Sequence, residues 1–565
     1  MAFYRKLTEG WRLTDGIYPE MLLEKPCPVY EALREEGYLP DAEEGMNALS
    51  CEWIAAREWT YSLLMEAPGE DDERILLELP CVSHAGSAYM NGEFINDFHP
   101  GAVRLDLTGA IRPDEMNRLE IRFAPALYAR PQETLPVPRI GLMAAPVLRA
   151  VNFLTVERVA FSARTEGNDG ILTVDMDVLA HTAGRYDFRY ALMQDDAIAV
   201  QSDIAEKLPA ARRWLRHEIR VKDAVFFDPA RMEETIYSIR LTAQRGGVGC
   251  DVRHAETAFR KNAPAKCLAV SEWPVSGDMI DRLTELGADG IILLGAPDNR
   301  FETNDFLGGL TVSEKMDFFE RTGMLRWKDI SGYAAGEKAW PMDTPLWKLR
   351  GGCVPGGDAE EDADVFSRRI RFEQAVSVRR AAEQARREGA KAAFRADGEY
   401  AFFADSALIE KSGAIRPAAR LLKKAWSEAH IFPEISEHGQ VSLWALAESM
   451  KGSVLTATLS VRTMDGEEIG GASFPVMGGD RRLAGVMALP AGWENGYLSA
   501  ELKDGMRVIA RTDELLAPLN RLEETKVSVS EGRVKNEGSC AAVSAETILP
   551  PGGDAEDIGQ EWLNA

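Results

Sequence analysis

At 565 residues the chain is too long for one hydrophobic core, and at one domain per 100 to 200 residues it holds roughly three to five. It is 45% hydrophobic and 27% charged, as soluble globular chains are, and 90 acidic against 65 basic residues give a formal net charge of −25. That balance sets aside nucleic acid and anionic membranes as partners. Seven scattered cysteines (Cys27, Cys51, Cys81, Cys250, Cys267, Cys353, Cys540) with no CxxC pair exclude a disulfide framework and a zinc knuckle. The start, "MAFYRKLTEGWRLTDG", has no apolar core of signal-peptide length, and nowhere do about 18 apolar residues run together. A cytoplasmic location fits this reading.

In chain order, residues 51–155 alternate in short runs such as "ERILLELPCVSHAGSAYMNGEF" and "NRLEIRFAPA", broken by Asn-Gly and Pro, which predicts antiparallel strands of a β-sandwich over 1–155. Alternation resumes over 156–262, with a turn expected at Asn168-Asp169-Gly170 and a late strand "TIYSIRLTAQ", a second sandwich of immunoglobulin size. Over 263–428 the period changes. Strands "CLAVSE", "GIILLGA" and "GMLRWKDI" alternate with helices "SGDMIDRLTELGA" and "TVSEKMDFFERTG", and "FEQAVSVRRAAEQARREG" is a later long helix. From 429 to 565, "VSLWALAE", "GSVLTATLSVRT" and "GYLSAELKDGMRVIART" return to β periodicity. The tail after 525 predicts two more strands before the turn Pro550-Pro551-Gly552-Gly553.

Several strips carry a resemblance. "PCPVYEALREEGYLPDAEEGMN", then Trp53 and Glu58, Trp59 and Tyr61, looks like a proline turn, helix, "IPDP", Asn and "W…DWxY". "AYMNGEF" and "NRLEIRF", Phe259-Arg260, "SEWP", "SEKMDFFERTGMLRWKDI" and the closing "FEQAVSVRRAAEQARREGAKAAFRADGEYAFFADSALIEKSGAIRPAARLLKKA" follow in order. Together they resemble glycoside hydrolase family 2, in its β-mannosidase branch. The resemblance implies a multidomain fold, β-rich plus α/β: an N-terminal sugar-binding-like jelly-roll β-sandwich, an Ig-like β-sandwich, a (β/α) TIM-like barrel and a C-terminal Ig-like β-sandwich.

The departures fall on the chemistry. A (β/α)8 barrel takes about 250 residues and rarely fewer than about 200, whereas residues 263–428 supply about 165, so the barrel is expected to be shortened. The missing middle is where the family carries its acid/base Glu, in an Asn-Glu pair, and its nucleophile Glu, in a "SEFG"-like strand end; neither has a match in order. The family's "GWDWGP" stands here as "GLMAAP", with Leu142, Met143, Ala144 and Ala145 in place of sugar contacts. Its "RVWGGG" stands as "ILLGAP" (Ile292 to Pro297), and its "WQLND" as "FRADG" (Phe394 to Gly398). Retaining hydrolysis needs two carboxyl groups about 5 Å apart across the anomeric carbon.

Glu272 closes an apolar strand before Trp273-Pro274, as an acid or base beside an aromatic platform would, and equally as a rim carboxylate facing water. Asp298, Asn299, Arg300, Glu302 and Asp305 crowd the loop after the second strand. There, with Trp327 and Asp329 of the third strand, they would line a rebuilt site or merely hydrate a loop. The acidic run over 356–369 lacks EF-hand spacing and suits a helix N-terminus. The seven histidines show no i, i+4 or HExxH spacing, so no metal or cofactor is expected. "RGGVGC" lies at a sandwich strand end and is no phosphate loop; the twelve Trp suit sandwich cores as well as sugar platforms.

Three readings follow. The chain is a catalytically inactive family homologue that binds carbohydrate or acts as a scaffold. Alternatively it is an active retaining β-glycosidase that pairs Glu272 with Glu302, Asp305 or Asp329. In the third, a second copy or a partner chain completes the barrel.

Overall fold

The computed structural model describes residues 3–565 apart from 43–46, 68–73, 126–138, 315–362, 398–407 and shorter stretches that include Glu272 and 297–299. The chain divides into two compact units, one of residues 1–264, 270–284 and 289–315, the other of 265–269, 285–288 and 316–565.

In the first unit, alternation builds two sandwiches. Strand Met116–Phe123 turns Asn117, Leu119, Ile121 and Phe123 inward and pairs with Trp59–Glu66 in a six-stranded sheet; Arg74–Val82 and Val147–Val151 belong to a four-stranded one. Tyr61 and Phe98 each meet the buried Phe123 ring edge-on at 5.6 Å. The predicted Asn-Gly turn is present between strands Gly86–Met90 and Glu93–Phe98, with Asn91 at φ 54° and Gly92 at φ 83°, the signs a type I′ turn demands. Asn117 locks it, accepting a 2.8 Å bond from the Asn91 amide, while the Arg118 N–H donates to Asn91 Oδ1 at 2.9 Å.

The Ig-like sandwich follows, with sheets built on strands Leu154–Glu166 and Asp169–Ala180, and on Gly184–Gln194 and Tyr237–Arg245. The first hairpin corrects the expected turn, which starts one residue earlier and is shorter. Glu166 pairs with Asp169, so Gly167-Asn168 makes the turn, Gly167 at φ 66°, and Gly170 already lies in the strand. Gly170 is there for space, because a Cβ on it would sit 2.6 Å from the buried Phe259 ring. "RGGVGC" is a hairpin, Gly246 and Gly247 joining Tyr237–Arg245 to Val248–Thr257.

Helix Gly277–Glu285 and the parallel strands Gly290–Leu293 and Leu310–Glu314 complete this unit's α/β part. The sequence predicted helix from Thr311 onward. Instead 311–314 are strand, the β-branched Thr311 and Val312 pairing with Gly290 and Ile291, and residues 315–323, with the expected third strand, lie outside the described residues.

In the second unit, strand Lys266–Val270 pairs in parallel with Ala392–Arg395, and the long helix Ala363–Glu388 packs on Pro417–Ala425. The C-terminal sandwich sets Ala429–Ile435 and Gln440–Ala447 in one sheet; the other runs Glu468–Met477, Val454–Thr463, Gly496–Asp504, Arg507–Leu515. Leu443, Leu459, Leu498 and Leu502 fill the core between them. The tail holds more strands than the two expected: Val527–Ser530, Arg533–Asn536, Ala542–Val543 and Ile548–Leu549 precede the proline turn, and Asp554–Glu556 follows it.

Candidate functional site

Between the parallel strands Gly290–Leu293 and Leu310–Glu314 the chain crosses to the Ig-like sandwich. Strand Glu302–Asn304 lies parallel to Leu154–Glu166, Glu302 beside Val159 and Asn304 beside Phe161, so the segment expected as a polar loop is a fourth strand of that sheet. The Val159 N–H donates to Phe301 O at 2.9 Å and the Asp305 N–H to Phe161 O at 3.2 Å. Asp305 Oδ2 accepts the Ala163 N–H at 2.6 Å. Burial lifts the Asp305 carboxyl to about 6, against that bond and the nearby Arg260 charge.

Glu302 faces a buried charge cluster. Its Oε1 accepts from Arg253 Nη1 at 3.2 Å, and Arg253 also grips Glu78. Arg104 holds Glu78 Oε1 from Nη2 at 2.7 Å, Arg149 bonds Glu78, and Arg149 Nη2 reaches Asp251 Oδ2 at 2.5 Å. Three carboxylates thus meet three guanidiniums where jelly roll and Ig-like sandwich join. Burial alone would raise Glu78, but Arg253, Arg149 and Arg104 hold it far below the ordinary carboxylate range. Partial burial raises Glu302, Arg253 pulls it back, and the Glu78 charge pushes it up again, leaving it above its usual value. Sequence reasoning missed Glu78, Arg149 and Arg253, although Glu78 and Arg149 are lone charges in the apolar runs "ILLELPCV" and "VLRAV"; Arg253, in "CDVRHA" beside Asp251 and His254, gave no such signal. Such a charge is costly to bury unless paired.

Trp273 does not offer an open platform, since the Arg300 guanidinium lies 5.2 Å from its ring centroid. Glu272, Asp298, Asn299, Trp327 and Asp329 lie outside the described residues. Among the predicted residues that are described, Glu302 and Asp305 share one strap, each carboxylate bonded to protein, and Arg300 and Trp273 form a separate pair. In the jelly roll, the "GLMAAP" strip buries Leu142 fully and ties the Met143 N–H to Cys81 O at 3.1 Å. In the second unit, Phe394 of "FRADG" packs edge-on against Trp426 at 6.1 Å. No group of His, Cys, Asp and Glu with metal-binding geometry occurs among the described residues, nor any helix long and apolar enough to cross a membrane.

Residues 11–148 match the family model of the glycosyl hydrolase 2 galactose-binding domain-like fold. That match covers the N-terminal sandwich, and it is this domain that the family model describes. The fold of the chain is similar to that of β-D-mannosidase from Dictyoglomus thermophilum, at 11% identity and a TM-score of 0.65 over 98% of this chain and 96% of that one. It is equally similar to the exo-chitosanase of Amycolatopsis orientalis, at 12% identity and 0.66 over 98% and 96%. A family 2 β-glucuronidase follows at 10% identity and 0.51, over 98% and 77%. None of the curated proteins matches the chain in sequence. The β-mannosidase-like architecture read from the sequence is therefore the observed one, with jelly roll, Ig-like sandwich, strands alternating with helices, and a closing sandwich.

Proposed function

We propose that the chain is a glycoside hydrolase family 2 homologue that is catalytically inactive and binds carbohydrate or serves as a scaffold. The observation that carries the proposal is the state of Glu302. Its carboxylate, one of the few left to replace the lost pair, sits on a strand annexed by the Ig-like sheet and bonds Arg253, a structural cation. Hydrolysis with retention needs a nucleophile and a proton donor on either side of one sugar, each free to reach it. The replacement of "GWDWGP" by "GLMAAP" supports the same reading, because a buried Leu142 offers a sugar hydroxyl nothing.

One observation favours an active retaining β-glycosidase. Asp305, lifted by burial to about 6, keeps its proton to a higher pH than an ordinary carboxyl, the direction a general acid needs, and would need Glu272 or Asp329 as its partner. The test is hydrolysis of aryl β-mannoside, galactoside, glucoside and glucuronide by the purified chain beside Glu272→Gln. No turnover is expected. Turnover that vanishes in Glu272→Gln overturns the inactive reading and makes that residue half of a rebuilt pair.

A further inference from the structure

The outer face of the C-terminal sandwich carries a pocket of about 620 Å³ that no sequence motif marked. Its floor follows from strand register. On Val454–Thr463 the outward residues Thr458 and Ser460 stand opposite Glu501 and Ser499 of Gly496–Asp504, and on their other side opposite Ser473 and Gly471 of Glu468–Met477. Short side chains thus occupy the middle of the sheet, while long charged ones rise at both ends. This makes a concavity on a surface that strands usually leave flat.

The walls are self-neutralising. Arg462 Nη2 meets Glu468 Oε2 at 2.9 Å, Lys503 Nζ meets Glu501 Oε2 at 2.8 Å, and Arg511 Nε meets Asp513 Oδ1 at 3.0 Å. A further anion would have to approach the lining carboxylates Glu468 and Glu501 to reach cations that already have partners, Arg511 being held by the buried Asp513. A hydroxyl compound needs no net charge: each hydroxyl donates to a carboxylate and accepts from a guanidinium or ammonium, and adjacent hydroxyls bridge such pairs.

Tyr497 points to a ligand independently. It stands opposite Arg462, is 1% exposed, and its ring packs with Ala541, Val543, Ile548 and Leu563. Its hydroxyl belongs to a pocket-lining residue and has no hydrogen-bond partner among the described residues. A buried hydroxyl without a partner is destabilising, and one at the edge of a polar cavity is satisfied by whatever fills it. Water alone would do so, but the volume lies within the roughly 300 to 1,000 Å³ of small-molecule sites.

We propose that this pocket binds a neutral saccharide unit, its hydroxyls bridging the Arg462–Glu468 and Lys503–Glu501 pairs and one of them bonding Tyr497 Oη. The proposal goes beyond the reading above and stands whether or not the α/β part binds sugar.

The test titrates the full chain calorimetrically with the methyl β-glycosides of glucose, galactose and mannose, and with sodium glucuronate and inorganic phosphate as anionic probes. Two variants accompany it: Tyr497→Phe, which removes only the hydroxyl, and Ser460→Trp, which fills the floor from the solvent side. The expected result is binding of at least one neutral glycoside, about tenfold weaker in Tyr497→Phe and abolished in Ser460→Trp, with thermal unfolding of Tyr497→Phe at or above wild type. Binding of the anions alone, weakened by salt, overturns the proposal, as does binding of nothing, which leaves a water-filled pocket. Neutral-glycoside binding that survives in both variants belongs to another site; it sinks this proposal and leaves the carbohydrate-binding reading standing. Turnover in the aryl glycoside assay has the opposite effect, removing the inactive reading and leaving this pocket untouched.

Discussion

Arg253 holds the Glu78 carboxylate with both terminal nitrogens, Nη1 to Oε2 at 3.0 Å and Nη2 to Oε1 at 3.1 Å, and both residues are almost wholly buried. One comes from the jelly roll and the other from the Ig-like sandwich, so this fork fixes how the two domains meet. Arg253 Nη2 also donates to Val156 O at 2.6 Å, and Asp251 Oδ2 accepts the Val156 N–H at 2.6 Å, which ties the charges to the strand that begins the second domain.

Glu78→Gln leaves three guanidiniums facing two carboxylates, with Arg149 and Arg253 almost wholly buried. Removing one partner of such a cluster costs about 3–5 kcal/mol, so the first transition in urea unfolding is expected at markedly lower denaturant. Because Glu78 is depressed in the folded chain, its contribution is present above the unfolded value of about 4.3 and is lost as pH falls toward the lower folded value. The gap between wild type and Glu78→Gln should therefore narrow below about pH 4. A gap that stays constant down to pH 2 contradicts the assignment.

Asp305 titrates in the other direction. Its folded value of about 6 lies above the unfolded carboxylate, so the stability it lends is complete at low pH and is lost as pH rises from about 4 through 6. Asp305→Asn keeps an oxygen for the Ala163 N–H and removes the ionisation. Thermal unfolding of this variant should match wild type near pH 4 and lie higher at pH 8. An equal or lower midpoint at pH 8 removes the burial account.

Much of the fold was legible because its signals were local. Asn91-Gly92 flanked by alternating residues has essentially one low-energy hairpin, and Met116–Phe123 shows its buried face by period two alone. The strap at Glu302–Asn304 was not legible, because a polar tripeptide becomes a strand only when a distant edge, Val159 to Phe161, offers it hydrogen bonds. Thr311 and Val312 were misread for a related reason: amphipathic spacing suggested that a helix starts at 311, and pairing with Gly290–Leu293 makes 311–314 a strand. The C-terminal pocket escaped because its signal, small residues adjacent across three strands, exists only once register is known.

Two glycines three residues apart are needed for different reasons, and substitution separates them. Gly167→Ala forces an L-residue to φ 66° in open space, a cost of roughly 1–2 kcal/mol that no second-site change relieves. Gly170→Ala drives a methyl to within 2.6 Å of the Phe259 ring, and overpacking of this kind costs about 1–3 kcal/mol. Phe259→Leu should recover part of the loss in Gly170→Ala and none in Gly167→Ala. Equal coupling in both double-mutant cycles contradicts the steric account.

Glu302 separates the structural reading of the strap from a catalytic one. Its side chain is 32% exposed and meets one guanidinium at 3.2 Å, whereas Glu78, 3% exposed, meets three. Exposure and screening make the Glu302 pair worth no more than about 1 kcal/mol, and Arg253 keeps its bidentate hold on Glu78 when it is lost. Glu302→Gln is therefore expected to unfold within a few degrees of wild type, far above Glu78→Gln, and to leave the aryl glycoside assay as blank as before. If the wild-type chain turns over any of those substrates and a folded Glu302→Gln does not, the carboxylate reaches the sugar, and the bond to Arg253 is a resting state rather than its purpose.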